Sequence, residues 1–266
     1  MTTVVISGAN GRMGREVIRA ISKESDIQLV GAVDLGEVGQ DAGVLAGIGA
    51  TGVILSNDLA SVLEEVKPQV MVDFTTPAVV ADNVRLALDH GVRPVVGTTG
   101  MSQEDLADIR ERCRKKGLGG VVAPNFAIGA VLMMAFAETA AKYFPAAEII
   151  EMHHDQKLDA PSGTAIKTAE NIARVRHDHR QNENTEVTKI DGVRGGAFNG
   201  GIRLHSVRLP GLVAHQEVIF GGQGQTLTIR HDSISRESFM PGVILAIRKV
   251  TELHELVYGL ENLIFE

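Results

Sequence analysis

The chain has 266 residues, of which 44% are hydrophobic and 22% are charged, with a formal net charge of -7. This profile is that of a globular chain with a sizeable core, and it excludes collagen-like, disordered and disulfide-stabilised proteins. At roughly 150 residues per domain, the length favours two domains. An acidic chain with no Trp and only two Tyr lacks the charge and stacking surfaces of nucleic-acid binding, so we expect no nucleic-acid partner.

Three features of the sequence bear on its compartment. Cys113 is the single cysteine, so it cannot form an intramolecular disulfide. The opening residues MTTVVISGANG lack the basic, apolar and cleavage regions of a signal peptide. The longest apolar stretch, Ala127 to Ala137, is well short of the roughly 20 residues that span a bilayer. We therefore expect a cytoplasmic protein with no membrane partner.

The first half of the chain alternates short apolar runs with helical patterns, which is typical of a doubly wound parallel sheet. The predicted strands are rich in Val and Ile, and they are Thr3–Ser7, Ile27–Asp34, Val70–Phe74, Pro94–Gly97 and Gly120–Ala123. The predicted helices lie between them, at Arg15–Ser25, Asp58–Val66, Pro77–Asp89 and Ser102–Lys115. We therefore predict a Rossmann-type α/β nucleotide-binding domain at residues 1–126 and 234–266.

The pattern changes after Asn125, which indicates a second, α+β domain over residues 127–233. The predicted elements are a helix at Ile128–Ala141, a strand at Glu148–His153, and strands at Arg203–Leu209, Ala214–Phe220 and Gln225–His231. Turn residues separate the last three strands, which predicts an antiparallel meander within an open mixed sheet. Polar residues 177–201 are predicted to be a mobile excursion. A final helix, Glu237–Leu253, is expected to return to the first domain.

A glycine-rich turn joins the first predicted strand to the first predicted helix. It reads Gly8-Ala9-Asn10-Gly11-Arg12-Met13-Gly14. Backbone N–H groups at such a helix start favour the negative charge of a pyrophosphate. Asp34 ends the second predicted strand, 20 residues after Gly14, where its carboxylate can bind an adenosine ribose. Together these features predict a dinucleotide site, although a turn with no ligand has the same glycine spacing.

Two later strand ends fall on the edge where doubly wound sheets bind ligands. They are Gly97-Thr98-Thr99-Gly100 and Pro124-Asn125-Phe126. Read alone, each is explained equally well by ordinary turn chemistry.

Titratable residues concentrate between Glu151 and Ala165, in the sequence EMHHDQKLDAPSGTA. His153 and His154 would point to opposite faces of a strand, so we expect no metal site there. The Lys157 ammonium and the N–H groups of a helix starting near Gly163-Thr164 predict an anion pocket. The alternative is a solvated polar loop followed by a capped helix.

These motifs resemble those of the 4-hydroxy-tetrahydrodipicolinate (dihydrodipicolinate) reductase family over essentially the whole chain. The matching segments are GANGRMGR at 8–15, DFTT at 73–76, GTTG at 97–100, PNF at 124–126, residues 151–165, HSVRLPGLVAHQE at 205–217 and Asn262-Leu263. The resemblance implies hydride transfer from NADH or NADPH to a cyclic, unsaturated dicarboxylate, which gives tetrahydrodipicolinate in the diaminopimelate route to lysine.

The resemblance also implies roles for individual residues. His153 and Lys157 fall on the family's catalytic proton-handling pair, and His154, Gly163 and Thr164 fall on its substrate-binding residues. The implied cofactor contacts are Gly8, Ala9, Asn10, Gly11, Arg12, Met13, Asp34, Gly97, Thr98, Thr99, Ala123, Pro124, Asn125 and Phe126.

Leu35 departs from the pattern of many relatives that use NADPH well, which carry an Arg directly after the acidic residue. We therefore expect NADH to serve at least as well as NADPH. A homotetramer is also implied by the resemblance. Apolar residues of the predicted meander would supply an exposed face for it, and they are Val207, Leu209, Leu212, Val213, Val218, Ile219 and Phe220.

Two alternatives remain open from the residues. One is another nicotinamide-dependent reductase of a small carboxylate, because the nucleotide domain alone does not determine the substrate. The other is a dinucleotide sensor without catalytic activity, which a turnover assay would exclude.

Overall fold

A computed structural model describes residues 1–176 and 187–265 of the chain. The chain divides into two units. The first consists of Met1–Ile128 together with Arg236–Glu266, and the second of Gly129–Ser235. Within the described ranges, no helix is both long enough and apolar enough to cross a membrane.

The elements are numbered in chain order. The strands are β1 (Thr2–Ser7), β2 (Ile27–Val33), β3 (Leu55–Ser56), β4 (Val70–Asp73), β5 (Arg93–Val96), β6 (Gly120–Val122), β7 (Ala146–His153), β8 (Gly196–Phe198), β9 (Ile202–Arg208), β10 (Ala214–Gly222), β11 (Gln225–Ser233) and β12 (Leu256–Tyr258). The helices are α1 (Arg12–Ile21), α2 (Ala42–Ala46), α3 (Leu59–Val66), α4 (Val80–Asp89), α5 (Gln103–Lys116), α6 (Ile128–Ala140), α7 (Gly163–Val175), α8 (Met240–Val250) and α9 (Glu261–Ile264).

The sheet of the first unit is parallel, with the strand order β12-β6-β5-β4-β1-β2-β3. Its central strands β1 and β4 are mostly buried and apolar, as in parallel sheets that are covered on both faces. The order reverses between β1 and β4, where Ser7 and Asp73 are register partners. Doubly wound sheets bind ligands at this switch point. The prediction of a Rossmann-type α/β fold is therefore confirmed.

The helix boundaries of the first unit correct two predictions. α1 begins at Arg12, because Gly11 is already the N-cap residue. α4 begins at Val80, because residues 77–79 form a turn instead of its first helical turn. The predicted capping signature of α5 is present, since Ser102 and Asp105 each accept a hydrogen bond from the other's backbone N–H.

The second unit contains a mixed sheet in the order β11-β10-β7-β9-β8, which confirms the α+β prediction. The predicted meander is wrong, because β7 lies between β9 and β10. β7 runs parallel to β9 and antiparallel to β10. Pro210-Gly211 marks a reversal of the chain, but a turn does not determine which strand lies alongside.

Part of the predicted mobile excursion is regular. β8 forms antiparallel backbone hydrogen bonds along the edge of β9, and a 3-10 turn follows at Asn199–Gly201. Backbone pairing at a sheet edge does not need apolar side chains, which is why the polar composition concealed it. Residues 177–186 of the excursion lie outside the described residues.

The core of the second unit lies on one face of its sheet, against α6 and α7. Ile149 of β7, Ile172 of α7 and Phe220 of β10 are fully buried there. Val218 is buried in the same core, so Val218 and Phe220 cannot contribute to an exposed apolar face as predicted. Alternation assigns a residue to one face of a strand, but it does not say which face the helices cover.

Candidate active site

The glycine-rich turn between β1 and α1 is too tight for side chains. Gly8 has a φ of +80°, and a Cβ placed on it would lie 2.6 Å from the Phe74 carbonyl oxygen. A Cβ on Gly14 would lie 2.1 Å from the Gly8 carbonyl oxygen. The backbone therefore packs as closely as a dinucleotide-binding turn requires.

The start of α1 suits a phosphate group. The N-cap residue Gly11 has no side chain to cap the helix, and the first turn carries no acidic residue. The first N–H groups of a helix have no acceptor within it, and the helix dipole favours an anion there. These features fit the pyrophosphate of a nicotinamide dinucleotide.

Asp34 holds the turn in place. One carboxylate oxygen accepts a hydrogen bond from the Asn10 backbone N–H at 2.9 Å, and the other accepts one from Gly36 at 3.3 Å. Arg15 donates to the Asn10 backbone and side-chain oxygens at 2.9 and 2.6 Å. A carboxylate has further lone pairs, so Asp34 can still accept a bond from a ribose hydroxyl. Leu35 is 90% exposed beside it.

Asp73 is a buried carboxylate that links the ends of three strands. Its Oδ1 accepts hydrogen bonds from the Thr98 hydroxyl at 3.0 Å and from the Thr75 N–H and hydroxyl at 3.0 and 2.7 Å. Its Oδ2 accepts one from Asn83 at 2.9 Å, whose amide also reaches the Ser7 hydroxyl. Asp73 therefore fixes Thr98, a predicted cofactor residue. The segment DFTT at 73–76 was among those that resemble the reductase family, but no role was predicted for Asp73.

The remaining predicted cofactor residues follow β5 and β6. A Cβ on Gly97 would lie 2.0 Å from the Phe74 ring, and that ring packs against Phe126 with centroids 6.0 Å apart. Ala123 is buried and donates its N–H to the Val96 carbonyl at 3.0 Å. Asn125 accepts a hydrogen bond from the Ala127 N–H at 2.9 Å, which shapes the turn before α6.

A cavity of about 110 Å³ lies at this edge of the sheet. It is lined by Thr98, Thr99, Gly100, Met101, Leu106, Val122, Pro124 and Tyr258. A larger cleft of about 420 Å³ lies in the same unit between α1 and α8 and contains none of the predicted residues. Arg248 in that cleft is already paired with Glu24 and Asp26.

The second unit contains a buried carboxylate at the end of β7. Glu151 accepts hydrogen bonds from His153 Nδ1 at 2.5 Å, from two nitrogens of Arg208 at 2.7 and 2.9 Å, and from the Ser162 N–H at 3.2 Å. Burial alone would raise the pKa of Glu151, but the hydrogen bonds from His153 and Arg208 outweigh it and lower the pKa to about 2. Neither Glu151 nor Arg208 was predicted as a site residue.

The loop after β7 holds Lys157 and His154. His154 lies one residue beyond the end of β7, at the start of this loop. The Lys157 ammonium donates to Asp159 at 2.7 Å and is mostly buried, whereas Asp159 is largely exposed. The hydrogen bond from Lys157 lowers the pKa of Asp159.

α7 begins directly after this loop. Ser162 is its buried N-cap residue and accepts a hydrogen bond from the Ala165 N–H at 3.3 Å. Gly163 and Thr164 form the first turn, which contains no acidic residue. The second unit therefore combines an imidazole, an ammonium and the start of a helix in residues 153–164. Across residues 1–176 and 187–265, no group of three His, Cys, Asp or Glu side chains could hold a metal ion.

The parallel sheet and its glycine-rich turn are those of a Rossmann-type nucleotide-binding fold, and the cluster at residues 151–164 adds titratable groups beside a helix start. Residues 2–126 match the family model "Dihydrodipicolinate reductase, N-terminus", and residues 129–264 match "Dihydrodipicolinate reductase, C-terminus".

Close relatives agree with these matches. A 4-hydroxy-tetrahydrodipicolinate reductase of Moorella thermoacetica is 57% identical over 98% of this chain and 97% of that protein. One of Desulfitobacterium hafniense is 55% identical over 97% of both chains. The solved structure of a dipicolinate-bound dihydrodipicolinate reductase from Paenisporosarcina is 48% identical, covers 98% of this chain and 99% of that one, and has a TM-score of 0.89.

The chain belongs to the dihydrodipicolinate reductase family. It is an NAD(P)H-dependent oxidoreductase with the 4-hydroxy-tetrahydrodipicolinate reductase activity of lysine biosynthesis, as predicted.

Proposed function

We propose that residues 1–126 and 234–266 bind the nicotinamide dinucleotide, and that residues 127–233 bind 4-hydroxy-tetrahydrodipicolinate and handle its proton. When bound, NADH or NADPH supplies the hydride. The observation that carries this assignment is the His153 imidazole, held at the end of β7 by the buried Glu151 carboxylate.

The substrate is a dicarboxylate, and two features of the second unit can oppose its charge. Lys157 offers an ammonium whose present partner, Asp159, is largely exposed and competes with water. The start of α7 at Gly163 and Thr164 offers backbone N–H groups and the positive end of the helix dipole. We assign His154 to the same carboxylate contacts. The dipicolinate bound by the Paenisporosarcina relative is also a cyclic dicarboxylate, which supports this assignment.

His153 and Lys157 are assigned to proton handling. Conversion of 4-hydroxy-tetrahydrodipicolinate to tetrahydrodipicolinate adds one hydride and one proton and releases the 4-hydroxyl group as water, and the charge that develops on the ring must be met by a proton or by a positive charge. An imidazole held by a carboxylate can give a proton from its other nitrogen, and an ammonium can stabilise the charge or supply the proton. Both groups act in the transition state, so they affect turnover more than cofactor binding.

The surroundings of Asp34 favour NADH over NADPH. The carboxylate repels a 2′-phosphate, and the next residue, Leu35, is exposed and uncharged. Glu37 adds a second negative charge in the same loop, whereas Arg12, the first residue of α1, is a cation that can weaken the preference. We propose that NADH is used at least as well as NADPH. Catalytic efficiencies with both cofactors decide this, and a tenfold preference for NADPH, about 1.4 kcal/mol, contradicts it.

We also propose a cytoplasmic homotetramer that has no nucleic-acid or membrane partner. Leu209 is 54% exposed, and Val207, Leu212, Val213 and Ile219 are half-buried. Light scattering at micromolar concentration tests the assembly, and a monomer contradicts it.

A coupled assay tests the proposed function as a whole. An aldolase makes the unstable substrate from pyruvate and aspartate semialdehyde, and the absorbance of NADH is followed after this protein is added. We expect NADH oxidation that depends on both the aldolase and this protein. No oxidation by a folded protein contradicts the proposal.

A further inference from the structure

Glu151 and His153 lie on the same face of β7, because side chains two residues apart on a strand point the same way. The Glu151 side chain is only 1% exposed, and His153 is 15% exposed. Arg208 is the register partner of His153 on β9, so the pairing of the two strands brings its guanidinium to the same place. The contact between Glu151 and His153 Nδ1 is thus fixed by the sheet.

The hydrogen bonds at Glu151 determine which nitrogen of His153 carries a proton. Arg208 donates two hydrogen bonds to Glu151. The pKa of Glu151 is lowered to about 2, so Glu151 is ionised across the neutral range. An ionised carboxylate can only accept, so Nδ1 of His153 must be the donor and must carry a hydrogen. Any proton that His153 exchanges is therefore on Nε2. Nε2 has no hydrogen-bond partner within the part of the chain that the structure describes.

Arg208 also connects this pair to the loop that carries Lys157. Its Nη2 donates to the Asp159 backbone carbonyl at 2.8 Å, and its Nη1 donates to the Val207 carbonyl at 2.7 Å. Asp159 is in turn the partner of the Lys157 ammonium. On the other side of His153, its register partner on β10 is the uncharged Ala214. His153 thus contacts the charged pair Glu151 and Arg208, and the adjoining loop carries Asp155, Lys157 and Asp159.

Two other histidines of the second unit also contact carboxylates, but those carboxylates reach solvent. His205 contacts Glu148 at 2.8 Å, and His215 contacts Asp232 at 2.6 Å. The side chains of Glu148 and Asp232 are 26% and 40% exposed. Water competes for an exposed carboxylate, whereas Glu151 has no such competitor.

We propose that Glu151, held as a carboxylate by Arg208, is a positioning residue that keeps the proton of His153 on Nδ1 and makes Nε2 the atom that exchanges a proton with the substrate. This inference rests on the proposed catalytic role of His153. It adds the choice of nitrogen and the residue that enforces it.

The test combines kinetics with ¹⁵N NMR of the histidine rings in the full-length protein. In the unaltered enzyme, we expect His153 to carry its hydrogen on Nδ1 at alkaline pH, with the signal assigned by its loss in His153→Asn. In Glu151→Gln, the amide can also donate, so we expect the Nε2–H form to appear. We expect kcat to fall about 100-fold, the scale of a positioned acid or base, with KM and the dissociation constant of NADH within threefold.

Glu148→Gln is the matched control. Glu148 lies on β7, as Glu151 does, and the substitution makes the same change beside a different histidine, His205 of β9. We expect its kcat and the His153 signals to be unchanged. An Nε2–H form of His153 in the unaltered enzyme overturns the inference even if Glu151→Gln does not fold. A kcat of folded Glu151→Gln within twofold of the unaltered enzyme also overturns it, provided that His153→Asn has lost turnover. If His153→Asn itself keeps full turnover, the proposed function of His153 has failed, and the inference fails with it.

Discussion

The two units each contain a fully buried carboxylate near the end of a strand, and the two carboxylates have different partners. Within the described residues, Asp73 in the first unit accepts hydrogen bonds from Thr75, Asn83 and Thr98, all of which are uncharged. Glu151 in the second unit accepts one from the uncharged Ser162 N–H, but it also accepts them from the Arg208 guanidinium and the His153 imidazole.

This difference separates two uses of a buried acid. Hydroxyl and amide donors keep the same charge across the neutral pH range, so we expect Asp73 to hold strand ends in place without changing its protonation. A guanidinium and an imidazole couple Glu151 to charge and to protonation. We therefore expect disruption of Asp73 to affect cofactor binding and stability, and disruption of Glu151 to change proton transfer.

The largest expected effect is on acid stability. The pKa of Glu151 is lowered from 4.5 to about 2 in the folded chain, so its ionisation stabilises the fold above pH 4.5 and this stabilisation is lost as the pH falls through 2. The contribution is about 3 kcal/mol. Urea unfolding between pH 5 and 2 should show the unaltered protein losing about this much more stability than Glu151→Gln. If the free energy of unfolding falls by the same amount in both proteins between pH 5 and 2, ionisation of Glu151 does not stabilise the fold.

Removal of the Lys157 ammonium should lower turnover without changing cofactor binding, which lies in the other unit. Lys157→Ala is expected to lower kcat by roughly 100-fold or more, because a positioned charge or acid is lost in the transition state. NADH affinity should stay normal, because the glycine-rich turn lies in the first unit. Lys167→Ala, on the exposed face of α7, is the control. Turnover near normal, or loss of NADH binding by a folded Lys157→Ala protein, would show that the active site is misplaced.

Asp73→Asn should disturb the first unit alone. The amide cannot accept all of the hydrogen bonds from Thr75, Asn83 and Thr98, and an unsatisfied buried donor costs about 1–3 kcal/mol. We expect a loss of stability of about 2 kcal/mol in urea and weaker NADH binding by calorimetry. Unchanged NADH affinity would mean that Asp73 does not position Thr98 for the cofactor.

Leu35→Arg should give the smallest effect. A guanidinium can pair with a 2′-phosphate, so we expect the ratio of catalytic efficiencies to move about tenfold towards NADPH. Stability should not change, since Leu35 is 90% exposed. Leu35→Gln adds length and polarity without charge, and it should leave the ratio where it was. An equal shift in both variants would argue against charge as the cause.

Local signals predicted much of the fold and the tight glycine-rich turn of the proposed cofactor site. The glycines at 8, 11 and 14, Asp34 and the capping pair Ser102 and Asp105 all act through neighbours in sequence or through a strand end. In the structure the glycines form a tight turn, Asp34 accepts from the Asn10 N–H, and Ser102 and Asp105 cap α5.

Long-range partners were not predictable in this way. Arg208 reaches Glu151 across 57 positions of sequence, and Thr98 reaches Asp73 across 25. These contacts depend on the order of strands, and the insertion of β7 between β9 and β10 is not recorded in any turn signal. The buried supporting residues of both sites were missed for this reason.

The pH dependence of kcat, measured side by side for Asp73→Asn and Glu151→Gln, tests the distinction between the two carboxylates most directly. Asp73→Asn should keep the shape of the unaltered profile. Glu151→Gln should give a profile of a different shape, because it removes the carboxylate that accepts from His153 Nδ1 while the charge of Arg208 remains beside that imidazole. Two profiles of the same shape would contradict the account.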